Sequence, residues 1–222
     1  IFSFFPFMGL CQETATDTIQ KTAIIDTILP LPYSISTAAT DANIERALSK
    51  SWELDRQDQR GTFHIMEYQP MYIMPMRFTD CPTKQPQSLN PERPIPESRK
   101  YQNVELKFQV SLKTKILQDA FAKGDVWVAF TQQAYWQMYN GGLSRPFREL
   151  NYEPELIFTY PINFSAGNLK LKMLGLSINH QSNGKEASHS RSWNRFILTA
   201  LGKWERVTFN FQLWRRFTET TV

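Results

Sequence analysis

Over most of the chain, apolar and polar residues alternate with a period of two. Val104 and Leu106, for example, alternate with Glu105 and Lys107. Only a β-strand with one apolar and one polar face satisfies this pattern, because successive side chains of a strand point to opposite faces. The alternation recurs in five later segments, and a proline-bearing segment from Phe63 to Phe78 adds an earlier strand. Seven strands are therefore predicted, with alternating apolar positions in Val104–Leu112, Val126–Phe130, Tyr152–Ile162, Leu174–Ile178, Phe196–Ala200 and Val207–Leu213.

A soluble β-sandwich and a membrane β-barrel both permit this alternation, and the connections between strands help to separate them. On one side the pattern predicts the connections Lys113–Gly124, Asn163–Asn168 and Gly202–Lys203, and on the other Thr79–Lys100, Asn140–Leu150 and Asn183–His189. Apart from the first, they are short on one side and long on the other, which is typical of outer-membrane barrels. Aromatic residues near strand ends match the girdles of such barrels: Tyr135, Trp136, Tyr139, Tyr152, Trp193, Trp204 and Trp214. The expected fold is all-β, a transmembrane antiparallel β-barrel.

Composition agrees with this class without proving it. The 222 residues have a mean hydropathy of −0.42 and no apolar run long enough for a membrane helix, which needs about 20 residues. This argues against a helical membrane protein and leaves a barrel open, because barrel strands are only half apolar. Two cysteines, Cys11 and Cys81, make neither a disulfide framework nor a metal cluster. A net charge of +4 is a weak signal for an anionic partner.

The chain divides into three predicted regions. Residues 1–15 are interpreted as the remnant of a signal peptide, because the apolar run Ile1–Cys11 is followed by small and polar residues. Residues 16–60 are expected to form an N-terminal periplasmic extension outside the core, and residues 61–222 the membrane β-barrel. Seven strands do not close a barrel of the usual even number, so further strands are expected beyond Val222.

Candidate chemistry concentrates where the fifth predicted strand ends. His180 and Ser182 are two residues apart, so a strand places both side chains on one face, the face of Ile178. Asn194 lies at the start of the neighbouring strand, and its position in the alternation places its side chain on the same face as the apolar residues of that strand. A hydroxyl, an imidazole and an amide are thus expected at the lipid-facing rim. A serine nucleophile needs an adjacent base, and the base needs a third group to hold its tautomer, a role that asparagine can fill.

Three ordered motifs around these residues closely resemble those of the outer membrane phospholipase A family. The resemblance covers about Asn103 to Arg216. It is carried by Asn179-His180-x-Ser182-Asn183-Gly184, by Ser190-Arg191-Ser192-Trp193-Asn194-Arg195, by Ser144-x-Pro146-Phe147-Arg148-Glu149-x-Asn151-Tyr152-Glu153-Pro154, and by the pairs Thr131-Gln132 and Trp136-Gln137. The chain departs from the family at Gln181, where an acidic residue is familiar, and at Arg145 and Lys185.

What the resemblance implies is a twelve-stranded barrel of the bacterial outer membrane that hydrolyses the sn-1 and sn-2 acyl esters of phospholipids. It makes Ser182 the nucleophile, His180 the base and Asn194 the residue that orients the base. It also implies that the backbone N–H of Gly184 contributes to the oxyanion hole.

The resemblance further implies a homodimer that is active with calcium. The metal would be held by the Ser144 side chain of one subunit, with the Lys185 carbonyl and the Ser190 side chain of the other. The residues lend separate support to self-association, because the parity of Gln132 places an amide on the lipid-facing side. Such a group is better satisfied against a second subunit than in lipid.

Two other functions stay open from the residues alone. One is a non-catalytic outer-membrane pore or structural barrel, in which the His-Ser-Asn cluster is incidental. The other is a soluble β-domain that binds nucleic acid through Arg191, Trp193, Arg195, Trp214, Arg215 and Arg216. The second alternative is disfavoured, because its apolar faces would need another layer to cover them. The expected partners are therefore a phospholipid substrate, the membrane and a second subunit, without nucleic acid.

Overall fold

A computed structural model describes residues 46–47, 49–85, 97–185, 189–205 and 207–217 of the chain. The predicted signal-peptide remnant, and the predicted extension as far as residue 45, lie outside the described residues. No helix in the described ranges is long and apolar enough to span a membrane.

The described strands form one antiparallel sheet. Each strand pairs with the next along the chain from β3 to β8, and β1 and β2 both pair with the free edge of β3. Seven positions across the sheet are thus occupied, as the alternation predicts, and β1 and β2 do not pair with β8 at the opposite edge. The strands are β1 Ile65–Glu67, β2 Tyr72–Phe78, β3 Val104–Ala120, β4 Gly124–Trp136, β5 Phe147–Ala166, β6 Leu169–Ser182, β7 Ser192–Trp204 and β8 Val207–Phe217.

The predicted edge strand from Phe63 to Phe78 is broken into two, which corrects the expectation of one continuous strand. Pro70 lies in the gap, and its carbonyl accepts a hydrogen bond from the side chain of Gln109. Pro75 lies inside β2, where the pairing with β3 shifts register between Met74 and Arg77. Proline has no N–H to donate to the ladder, so it is tolerated at an edge and at such irregularities.

All three connections predicted for one side of the sheet are misplaced, and that predicted at Asn163–Asn168 is confined to residues 167–168 between β5 and β6. The expected loop Lys113–Gly124 is mostly strand, because β3 continues to Ala120 and the turn is confined to residues 121–123. The expected turn Gly202–Lys203 lies inside β7, and the chain reverses after Trp204 instead. Phe121 and Glu205 have φ values of 51° and 52°, which let a very short turn reverse the chain. One end of the sheet therefore carries only short turns, and we call it the short-turn end.

The opposite end carries the long connections, residues 79–103, 137–146 and 183–191, and we call it the long-loop end. The connection between β3 and β4, which was predicted to be long, is a short turn. The difference in loop length between the two ends of the sheet is therefore larger than the sequence pattern indicates.

Burial on the two faces of the sheet is the reverse of that in a water-soluble protein. One face, the polar face, buries Glu105, Ser111 and Asn179 to 2% exposure or less. The other, the apolar face, leaves Leu176 54% and Leu198 49% exposed. A continuous apolar surface of this kind needs lipid or another apolar surface to cover it. This distribution confirms the prediction of an apolar outside and a polar inside.

The carboxyl-terminal part of the predicted extension contacts the polar face at the short-turn end. The Trp52 ring packs edge-on against Trp127 at a centroid distance of 5.7 Å. Glu53 is 1% exposed, and its carboxylate lies 3.0 Å from Nζ of Lys115, which also lies 2.7 Å from a carboxylate oxygen of Asp125. Residues 49–60 are thereby fixed to the sheet by a small aromatic cluster and a buried ion-pair network.

Candidate active site

The pairing of β6 with β7 brings together two of the three predicted catalytic side chains. His180 is the cross-strand partner of Asn194, and Nδ1 of the imidazole lies 2.7 Å from Oδ1 of the amide. Because an amide oxygen only accepts, this hydrogen bond assigns the proton to Nδ1. The second ring nitrogen, Nε2, then has the lone pair that a base requires.

Ser182 lies on the same strand and the same face as His180, two residues further towards the long-loop end. The distance between their Cα atoms on a strand is about 7 Å. Both residues are half-buried and continue the apolar row of Leu176 and Ile178. The predicted nucleophile and its predicted base thus lie where an apolar surface meets the loops.

A row of cross-strand neighbours connects Ser182 with Gln132. Gln132 pairs with Tyr152, Tyr152 pairs with Ser182, and Ser182 pairs with Ser192. Two strand spacings of about 4.8 Å each therefore separate Gln132 from Ser182 at one level of the apolar face. The predicted interface residue and the predicted nucleophile lie at the same depth.

The loop after β6 is organised by Asn183, which is 3% exposed. Its amide donates to the His189 carbonyl at 2.7 Å, and its Oδ1 accepts from the backbone N–H groups of Lys185 and Arg191 at 3.3 and 3.0 Å. Its own N–H donates to the Arg191 carbonyl at 3.1 Å. One side chain thus holds both ends of the loop and brings Lys185 close to the residue that follows Ser190.

Gly184, the predicted oxyanion donor, has a φ of +62°. A Cβ atom added at this position would lie 2.8 Å from Cε2 of Tyr152. Both the left-handed backbone and the close approach of the ring require glycine here. Tyr152, a neighbour of Ser182 in the sheet, therefore contacts the loop as well.

The predicted calcium donors lie in two loops at the long-loop end. Ser144 follows a short 3-10 turn, Gly141–Leu143, and is exposed with φ +58°. Lys185 and Ser190 belong to the loop held by Asn183. Within the described residues no three His, Cys, Asp or Glu side chains are grouped to hold a metal. Two hydroxyls and a carbonyl are neutral hard donors of the kind that calcium accepts, so the residues fit a site completed by other oxygens.

The Lys185 ammonium contacts β5, where its Nζ donates to the Arg148 carbonyl at 3.1 Å. Burial lowers the pKa of Lys185 from its usual value, and the neighbouring cation Arg191 acts in the same direction against the opposing effect of Glu149. The Lys185 ammonium thus lies among other cations, whereas the predicted calcium donor is the backbone carbonyl of Lys185 in the loop.

Sequence reasoning assigned no role in the site to Asn183, or to Tyr152 beyond its place in the aromatic girdle, although both lie in the quoted motifs. It also missed the ion pair between Arg191 and Glu149, which joins the loop to β5. The signal that could have found Tyr152 is its parity, which places an aromatic ring on the apolar face beside Ser182. The roles of Asn183 and Glu149 depend on loop geometry, which periodicity does not specify.

The fold and the site together define a membrane β-barrel protein with an imidazole–amide pair and a serine at the rim of its lipid-facing surface. Comparison with known proteins agrees. The phospholipase A1 family model matches residues 48–222, so the chain belongs to the phospholipase A1 family. A phospholipase A1 relative of Neisseria meningitidis serogroup B is 38% identical over 187 residues, which cover 81% of this chain and 48% of the relative.

Solved structures support the same fold. The outer membrane phospholipase of Salmonella typhi, described as a dimer with bound calcium, superposes with a TM-score of 0.63 at 23% identity, covering 77% of this chain and 64% of that one. Outer membrane phospholipase A of Escherichia coli gives a TM-score of 0.60 at 26% identity, covering 71% and 64%. The chain is a β-barrel protein of the bacterial outer membrane, and it spans about half the length of the Neisseria relative.

Proposed function

We propose that the protein hydrolyses acyl ester bonds of phospholipids with Ser182 as nucleophile, His180 as base and Asn194 as the residue that orients the base. The observation that carries this proposal is the 2.7 Å contact between His180 Nδ1 and Asn194 Oδ1 on the apolar face. The family membership of the chain supports the same chemistry.

The steps follow from the roles of the three side chains. Ser182 Oγ attacks the ester carbonyl while its proton passes to Nε2 of His180. The tetrahedral intermediate expels the lysophospholipid alcohol, which takes the proton from the imidazolium, and leaves an acyl group on Ser182. Water then attacks the acyl-enzyme with His180 again as base, which releases the fatty acid and restores the serine. The backbone N–H of Gly184 stabilises the oxyanion in both halves of the reaction.

The location of the site suits a lipid substrate. The acyl chains of a phospholipid lie against the apolar face, and its ester groups lie at the depth where that face ends. A serine on this side therefore meets the ester without removing the lipid from the membrane.

The same proposal includes calcium and a homodimer. Ser144 of one subunit, with the Lys185 carbonyl and Ser190 of the other, would hold the metal, which supplies positive charge near the developing oxyanion when bound. Gln132 is half-buried on the apolar face at the level of Ser182, where a second subunit would satisfy its amide. The calcium-bound dimer of the Salmonella relative supports this part.

Covalent labelling tests the mechanism directly. Full-length protein in detergent with calcium is treated with a long-chain sulfonyl fluoride, and the modified residue is located by mass spectrometry. We expect one label on Ser182, no label in Ser182→Ala, and loss of nearly all ester turnover in Ser182→Ala and His180→Ala. A pore would show neither labelling nor turnover, and equal turnover in Ser182→Ala would contradict the mechanism.

A further inference from the structure

A cavity of about 290 Å³ opens at the long-loop end of the sheet, on the polar-face side of the rim. Ser182 borders this cavity, so the proposed nucleophile lies between the apolar face and a polar chamber. Three arginines, Arg77, Arg148 and Arg191, line the same chamber. A ligand bound at Ser182 would therefore border the chamber that these guanidinium groups line.

The arginines are only partly neutralised. Arg77 and Arg148 share a single carboxylate, that of Glu105, with a contact of 2.6 Å from Arg77 and contacts of 2.7 and 2.8 Å from Arg148. Arg191 pairs with Glu149. Among the described residues, three cations thus face two carboxylates, which leaves this part of the chamber positive. Both guanidinium groups on Glu105 also lie about 5 Å from the Tyr135 ring, which fixes their positions.

Arg191 differs from the other two in having a side-chain donor that is buried and unpartnered within the described part of the chain. Among the described residues, its buried Nε has no hydrogen-bond partner, and neither has Oε1 of Glu149. A buried donor without a partner costs free energy that an incoming acceptor would recover. Guanidinium groups bind phosphate oxygens with charge-assisted and often bidentate hydrogen bonds.

From the cavity, its positive charge and the unused donor, we infer that Arg191 binds the phosphate of the phospholipid substrate in this chamber. The inference rests on the proposed function and adds a subsite for the head group. The glycerol backbone alone separates the phosphate of a phospholipid from its ester carbonyls. The phosphate turns over the rim towards Arg191 while the ester stays at Ser182.

Binding and turnover are measured separately in full-length protein with calcium. In the non-hydrolysing Ser182→Ala background, isothermal titration with dihexanoylphosphatidylglycerol below its micelle concentration gives a dissociation constant. We expect Arg191→Gln to weaken binding about tenfold, the effect of losing one charge-assisted contact, and Arg191→Lys to weaken it less. Lys84→Gln is the matched control, because Lys84 is an exposed cation near Thr83 of the same rim and does not line the cavity.

Kinetics with two esters of the same acyl chains, dioleoylphosphatidylglycerol and dioleoylglycerol, supply the second readout. Arg191→Gln should raise KM about tenfold for the phospholipid and leave the neutral ester within twofold. An equal loss for both esters, unchanged phospholipid binding, or the same effect in Lys84→Gln would overturn the inference. If the unmodified protein hydrolyses neither ester while Arg191→Gln still weakens binding, the proposed reaction fails and the phosphate site stands.

Discussion

The imidazole of His180 and the amide of Asn194 face each other across β6 and β7 at 2.7 Å, on a surface otherwise built for lipid. A buried or lipid-facing polar pair is costly unless its hydrogen bonds are made, and such pairs tend to have a function. Here the contact fixes both the ring orientation and the tautomer, so in the proposed mechanism it prepares Nε2 to accept the proton of Ser182. The backbone hydrogen bonds between β6 and β7 fix the relative positions of His180 and Asn194, because the two residues are cross-strand partners.

Asn194→Ala should therefore lower kcat about a hundredfold, a smaller loss than in Ser182→Ala, because the imidazole remains but is no longer oriented. KM should change little, since the amide does not hold the substrate. The measurement is steady-state hydrolysis of a soluble ester and of a phospholipid in mixed micelles.

Asn194→Asp provides the control, since a carboxylate oxygen still accepts the bond from Nδ1. We expect this variant to retain more activity than Asn194→Ala. If both variants lose the same activity, or if neither loses any, then the 2.7 Å contact does not position the base.

The alternation of residues was sufficient to predict the faces of the sheet, because period two is a local property of each strand. It placed Ser182, His180 and Gln132 on the apolar face, where the structure has them. It failed at strand ends. The residues before Phe121 lose the alternation, with Asp119 at φ 54°, although the ladder continues to Ala120. Gly202 resembles a turn residue in sequence, yet a Cβ there would meet the Lys170 carbonyl at 2.6 Å, so it serves close strand packing.

Contacts between distant segments could not be predicted from the sequence at all. No local pattern links Glu53 with Lys115, or Arg191 with Glu149, because each pair forms only once the sheet has assembled. The cavity beside Ser182 has the same origin, since its arginines come from β2, β5 and the loop after β6.

Gly184→Ala should lower kcat/KM at least about tenfold. The substitution puts a Cβ 2.8 Å from the Tyr152 ring and forces alanine into a left-handed conformation, which costs about 1–2 kcal/mol. The loop must then shift, and with it the N–H proposed for the oxyanion, so kcat should fall more than KM rises.

Gly142→Ala is the matched control, because the nearest atom to a Cβ there is 3.8 Å away. Gly184→Ala combined with Tyr152→Leu should recover part of the loss by making space for the methyl group. Full activity of Gly184→Ala would show that neither the ring contact nor the backbone conformation matters for turnover.

Calcium should control the proximity of Gln132 residues in two subunits. The proposed metal donors come from both subunits, so metal binding and dimerisation must favour each other to the same extent. In a background with Cys11→Ser and Cys81→Ser, Gln132→Cys should form an intersubunit disulfide when it is oxidised in detergent with calcium, and should not form it when a chelator is added before the oxidant. Hydrolysis should fall in parallel with the dimer.

Phe211→Cys serves as the control for that experiment, because Phe211 is exposed on β8, several strands away from Gln132. It should not crosslink under either condition. Crosslinking of Gln132→Cys to the same extent with and without calcium would show that dimerisation does not depend on the metal. Full activity of the chelated monomer would show that hydrolysis requires neither calcium nor the dimer.

Lys115→Met should destabilise the protein by about 3–5 kcal/mol, because it leaves the Asp125 carboxylate without its ion-pair partner and leaves the buried Glu53 with Arg60 alone, at 3.9 Å. The loss is measured by urea unfolding of the full-length protein in detergent, with fluorescence of Trp52 and Trp127 as the probe. Lys123→Met, a substitution of an exposed residue in the turn 121–123, should change stability by no more than about 0.5 kcal/mol.

The neutral triple variant Glu53→Gln, Lys115→Met, Asp125→Asn should regain much of the lost stability, since no unpaired charge remains. If Lys115→Met unfolds at the same urea concentration as the unmodified protein, or if the triple variant is as unstable as the single one, then the ion-pair network does not hold residues 49–60 against the sheet. Proteolysis decides between local and global effects: the side chains of Arg56 and Arg60 are already exposed, and detachment of this segment alone would free the backbone beside them for cleavage by trypsin while the sheet stays folded.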